Sequence, residues 1–141
     1  MTRAVFDTNV VVSGFLSPNG APGRIVEWLR NGSVTAVLDD RIAAEYAEVL
    51  VRPAFQLPGS EVRIALDAIG ARAEWIEVRA QDLVRGLPDP DDAPFLECAR
   101  AAGVPVVTGN LRHYPRSLVR EIAVLTPAQF VALRESESSR R

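Results

Sequence analysis

The chain has no lysine, one cysteine and one histidine. A single cysteine, Cys98, excludes an internal disulfide, and its position in an apolar-periodic stretch reads as a small buried thiol. With His113 as the sole imidazole, there are too few soft donors for a zinc centre. No stretch reaches the ~20 continuous apolar residues that a membrane helix requires. Met1-Thr2-Arg3 runs straight into an apolar strand without a basic, longer apolar leader, so neither a membrane span nor a secretory signal is expected, and the expected location is cytoplasmic. Excess positive charge is also missing. A net charge of −2 and a pI of about 5.4 exclude holding nucleic acid by bulk electrostatics, so any such contact is local or metal-assisted. The all-arginine basic set suits bidentate phosphate contacts, although biased coding composition explains it more simply. No Gly-x-Ser-x-Gly accompanies His113, which argues against a Ser-His-Asp nucleophile. A Gly-x-x-x-x-Gly-Lys phosphate loop is absent as well.

What remains is an ordinary globular composition. The chain is 141 residues long, 48% hydrophobic and has a mean hydropathy of +0.06, which fits one domain over 1–134 and a polar tail over 135–141. Ala4-Val5-Phe6 reads as a buried strand, and the following residues stay apolar from Val10 to Leu16. Residues 17–23 carry a dense Pro/Gly/Asn loop signal, followed by a helix over 24–30 that stops at Asn31-Gly32. A β-branched strand over 34–38 precedes the cap residues Asp39-Asp40 and a helix over 41–51. Ser60 is positioned to cap a helix over 60–71, and the alternating segment 73–78 suggests an edge strand. An acidic loop, 87–92, opens a helix over 93–102. Strands over 104–107 and 122–125 and a terminal helix over 127–134 complete the series. Strands alternating with helices predict an α/β protein with a mainly parallel sheet covered on both faces.

Three acids stand out in this frame. Asp7 ends the first strand, where the crevice of an open parallel sheet collects ligands, although Asp7 could instead cap the next helix. Glu45 shares a helical face with Ile42 and Val49 by i+3 and i+4 spacing, and a carboxylate on an apolar face needs a cation or partner. Asp92 starts a helix whose Phe95, Leu96 and Ala99 run along one buried side, which aims its carboxylate at the sheet. Other acids fit simpler roles: Asp89 as a turn residue, Glu48 as a solvated partner of Arg41 or Arg52, and Glu97 as a partner of Arg100. Clustered carboxylates repel one another, and hard oxygen-seeking divalent ions supply the missing counter-charge, so Mg²⁺ or Mn²⁺ is the expected cofactor.

The stretches Val5-Phe6-Asp7-Thr8-Asn9-Val10-Val11-Val12-Ser13, Glu45-Tyr46 to Val49-Leu50 with Arg52-Pro53, Asp89-Pro90-Asp91-Asp92-Ala93-Pro94-Phe95-Leu96-Glu97-Cys98-Ala99 and Val107-Thr108-Gly109-Asn110-Leu111-Arg112-His113-Tyr114-Pro115 occur in that order. Together they make the chain resemble PIN-domain proteins over residues 4 to about 130, specifically the toxins of bacterial type II toxin–antitoxin systems. The resemblance implies a three-layer α/β/α sandwich and a metal-dependent endoribonuclease with Asp7, Glu45 and Asp92 as catalytic, metal-binding acids. Thr8, Asn9, Ser13 and Thr108 would orient ligands or water, and Arg112 and His113 would contact RNA phosphate. A small antitoxin would cover the site, and a homodimer is implied for many members. Trp28 and Trp75 are the apolar candidates for such a contact, though core packing explains each more simply.

The resemblance departs at one point. Asn110 stands where family members commonly carry a further acid; its carbonyl can ligate but brings no charge, and Asp89 or Asp91 are the residues that could compensate. A catalytically inactive RNA-binding module of the same fold is therefore the alternative. A dehalogenase-type phosphohydrolase fits worse, since Asn9 replaces its second aspartate and its lysine is missing.

Overall fold

The computed structural model describes residues 2–119 and 121–139. Strands β1 (Thr2–Phe6), β2 (Val34–Leu38), β3 (Glu74–Trp75), β4 (Val106–Val107) and β5 (Val124–Leu125) form one sheet in the order β3-β2-β1-β4-β5, and each adjacent pair is parallel. Six helices, α1 (Thr8–Leu16), α2 (Ala21–Asn31), α3 (Asp40–Leu50), α4 (Gly59–Arg72), α5 (Ala93–Ala102) and α6 (Pro127–Ser139), complete the α/β/α sandwich expected from the alternating pattern. None is long and apolar enough to cross a membrane.

The central strand explains its own composition. Ala4, Val5 and Phe6 are fully buried because both sheet faces are covered, so the second part of β1 is continuously apolar, without alternation. Helix α5 packs on β1 and β2, while α2 packs against α1, α4 and α6. Phe130 of α6 meets Phe6 edge-to-face at 5.3 Å. Strand order reverses between β1 and β4, so the ends of those two strands flank the topological switch point of the sheet.

Several boundaries differ from the sequence pattern. The apolar run after Asp7 is helix α1. Pro22 and Gly23 were expected in a loop but lie in the first turn of α2, where proline loses no hydrogen bond. Gly23 is required by close approach: a Cβ there would sit 2.0 Å from the Pro18 carbonyl oxygen. Helix α4 starts after Pro58 and has no side-chain cap, so Ser60 does not play that part. Strands β4 and β5 are shorter than expected, although Val5 N–H still bonds Pro105 O at 2.9 Å. Helix α6 runs past the expected end at Arg134 to Ser139. The expected polar tail is tied down there by Glu137, which accepts from the Thr2 hydroxyl at 2.8 Å, and by Glu135, which pairs with Arg24 at 3.3 Å. The last two tail residues, Arg140 and Arg141, lie outside the described residues.

Two further expectations are corrected. Glu97 does not pair with Arg100 on the helix surface. It is 4% exposed, with Oε1 accepting from Arg41 Nη1 at 2.8 Å and Oε2 from Val84 N–H at 3.0 Å. Trp75 is not core: at 49% exposure on the edge strand, it is held by an Nε1–H bond to Gly70 O at 2.8 Å. Trp28 is half-buried beneath the guanidinium groups of Arg24 and Arg134. Cys98 is buried as expected, and burial pushes its thiol up to about 12.

Candidate metal centre

Asp7 lies at the carboxyl end of β1, and its N–H bonds Val107 O at 2.9 Å, which joins the ends of β1 and β4. Its side chain plays the helix-cap part that the sequence allowed, and it also reaches the segment after β4. Oδ1 caps α1 by accepting from Asn9 N–H at 3.3 Å, while Oδ2 accepts from the Thr108 and Tyr114 hydroxyls at 3.0 and 3.1 Å. The cap fixes the rotation of the carboxylate, which is 5% exposed. Thr108 is itself oriented, because its oxygen accepts from Asn110 N–H at 3.1 Å. Asn9 ties the two strand ends again through Gly109 N–H to Oδ1 at 3.0 Å.

Glu45 projects from α3, where Ile42 on the same face is buried and Glu45 itself is half-buried. The Thr8 hydroxyl donates to its Oε2. One residue on, the Tyr46 hydroxyl donates to Phe6 O, pinning α3 against the end of β1 beside Asp7. Asp92 sits between a short turn of 3-10 helix over Pro90–Asp92 and α5. Its Oδ2 lies 2.8 Å from His113 Nδ1. Asp89 caps that turn by accepting from Asp91 N–H at 3.0 Å. Donor atoms of Asp89, Asp92 and His113 all fall within 4.8 Å of one another, a group that could hold a metal ion.

Electrostatics link these residues. Burial raises the carboxyl of Glu45, and the negative charges of Asp7, Asp91 and Glu48 raise it further against the hydrogen bond from Thr8. Asp92 is pushed up to about 6 by burial and by Asp7, with His113 opposing. The Tyr114 hydroxyl is raised far above its ordinary value by burial and then by Asp7, Asp92 and Glu45. Asp7 is thus electrostatically coupled to Glu45 and to Asp92, whereas the ligand atoms that come within 4.8 Å of one another are those of Asp89, Asp92 and His113. A divalent ion fits the Asp89, Asp92 and His113 group, in which two carboxylates and an imidazole offer ligand atoms.

The other expected residues divide clearly. Thr8, Asn9 and Thr108 join the network. The Ser13 side chain is exposed and makes none of its hydrogen bonds. Asn110 enters through its backbone N–H only. Arg112 is exposed and has no side-chain partner among the described residues, whereas His113 faces Asp92. Tyr114 and Tyr46 were not recognised from sequence as site residues, because their partners are 107 and 40 residues away. Asp89, read chiefly as a turn residue, does form a turn, but its carboxylate also reaches the Asp92–His113 pair.

Among the comparisons with known proteins, the profile of the PIN domain matches residues 3–112. No curated protein and no solved structure matches the chain.

Proposed function

The chain belongs to the PIN-domain family, and from that premise we propose that it is a Mg²⁺- or Mn²⁺-dependent endoribonuclease and the toxin of a toxin–antitoxin pair, restrained by a small antitoxin. One observation supports the nuclease reading: Asp7, at the switch point of the sheet, adds its negative charge to both Glu45 and Asp92, beside the Asp89, Asp92 and His113 group that could hold a metal ion. Asp7, Glu45 and Asp92 would hold the ion, with Asp89 and His113 beside Asp92. When bound, the ion supplies positive charge for the phosphodiester and acidifies a water.

The chain's own residues do the rest. Thr108 and Tyr114 fix the Asp7 carboxylate, and Thr8 fixes Glu45, so the oxygens need little reordering when charge builds on the phosphate. His113 engages Asp92 through Nδ1, which leaves Nε2 to meet a phosphate oxygen or hand a proton to the leaving oxygen. Burial of Asp7 and Asp92 limits competing solvent around the reacting phosphate.

Asn110 favours a second reading. Without a carboxylate on that side, the same site could bind RNA without cleaving it. Cleavage of single-stranded RNA in Mn²⁺ by protein purified free of host nuclease separates the two. The nuclease reading expects Asp7→Asn and Asp92→Asn each to lower the rate at least ~10²-fold, the scale of losing a group that acts at the transition state. Equal rates in parent and both variants would overturn it. RNA binding without cleavage by the parent would establish the second reading.

A further inference from the structure

The short turn over Leu111–His113 faces two ways. His113 reaches Asp92, while Leu111 and Arg112 line a surface groove of about 920 Å³ together with Tyr114, Pro115, Arg116 and Gln129. That volume is near the top of the roughly 300–1,000 Å³ span of ligand sites. Tyr114 forms part of the groove wall, and its hydroxyl ends on Asp7 Oδ2 at 3.1 Å, so groove and acidic centre share a side chain.

The groove differs from its surroundings in charge. No carboxylate lines it, and Arg112 and Arg116 are exposed without a carboxylate or carbonyl partner among the described residues. Elsewhere, Arg3, Arg24, Arg41 and Arg52 are each neutralised by a glutamate or aspartate. In a chain of net charge −2, two unpaired guanidinium groups beside an acidic centre form a local positive track. Guanidinium groups match phosphate oxygens in geometry, and Leu111 and Pro115 offer apolar surface against which a base or ribose can rest.

We infer that this groove is the binding track for the single-stranded RNA segment next to the scissile phosphate, with Arg112 and Arg116 each contacting one backbone phosphate. The choice of RNA rests on the nuclease reading above. Arg116 enters on the groove's geometry alone; no motif in the sequence singled it out.

Fluorescence anisotropy of a short end-labelled single-stranded RNA in metal-free EDTA buffer, across a series of potassium chloride concentrations, tests this without any cleavage. Each phosphate contact contributes roughly 0.7 to the slope of log affinity against log salt for a single strand. Arg112→Gln and Arg116→Gln are each expected to reduce that slope by roughly 0.7, and the double variant by roughly 1.4. Arg63→Gln, on the exposed face of α4, is expected to leave it unchanged. Circular dichroism melting of each variant reports that it is folded. A double variant with the parent's slope, an equal loss in Arg63→Gln, or no RNA binding by the parent at the lowest salt would overturn the inference. Failure of the nuclease reading looks different: Asp7→Asn would cleave like the parent while the arginine slopes still fell.

Discussion

The Tyr114 hydroxyl donates to Asp7 Oδ2 at 3.1 Å across 107 residues of chain, in a buried setting where both groups would otherwise lack solvent. The contact brings the segment after β4 back onto the end of β1. It also leaves Asp7 with three donors (Asn9, Thr108 and Tyr114), so its carboxylate orientation is fixed before any ligand arrives.

Tyr114→Phe keeps the ring and removes the donor. A hydrogen bond to a charged group is worth about 1.5–3 kcal/mol, and urea unfolding in metal-free buffer should show a loss of that order. Calorimetric titration with Mn²⁺ should show weaker binding as well, because an oriented ligand becomes a looser one. Unchanged Mn²⁺ affinity would mean that Tyr114 supports the fold but not the site.

The Asp92 carboxyl is raised from 3.8 to about 6. An acid whose native pKa lies above its unfolded value holds its proton more tightly when folded, so it costs stability above about 6. That cost diminishes as pH falls from about 6 towards 3.8. In metal-free buffer, Asp92→Asn should therefore melt higher than the parent at pH above this window, with the gap closing within it. Saturating Mg²⁺ should reverse the order at high pH, since only the ionised carboxylate ligates well. An Asp92→Asn protein less stable than the parent at high pH without metal would contradict the assignment.

Glu97 is predicted to be a structural clasp. Through Arg41, which also pairs with Asp39 at 2.8 Å, it joins the start of α3 to the middle of α5, the helices that carry Glu45 and follow Asp92. Glu97→Ala leaves the exposed Arg41 still paired with Asp39 but strips the Val84 N–H of its acceptor, a loss of about 1–3 kcal/mol. Arg100→Ala, aimed at the partner that helix spacing suggested, should stay within about 0.5 kcal/mol of the parent. Thermal or urea unfolding of the two variants distinguishes the cross-helix clasp from a surface pair.

These cases separate what was legible in the sequence from what was not. The buried strands were legible because sheet coverage on both faces forces continuous apolar runs, as in Ala4-Val5-Phe6. The positions of Asp7 at a strand end, Glu45 beside the buried Ile42 on α3 and Asp92 at the start of α5 were legible because strand ends and helix faces follow local periodicity. Partners such as Arg41 for Glu97 and Tyr114 for Asp7 were not, since they are 56 and 107 residues distant and local spacing says nothing about them. Pro22 and Gly23 misled in another way: the same residues that mark loops also begin α2, where Gly23 admits the Pro18 carbonyl. The apolar run after Asp7 lacked a polar face to reveal its period, because Val10, Val11 and Val12 of α1 are all buried.

The central claim is that Asp7, Glu45 and Asp92 together hold a divalent cation. Anomalous scattering from a crystal soaked in Mn²⁺ tests it most directly. The account predicts a manganese peak with carboxylate oxygens of all three residues at coordination distance, about 2.0–2.3 Å. Manganese bound only by Asp89, Asp92 and His113, or no peak at the ends of β1 and β4, would contradict it.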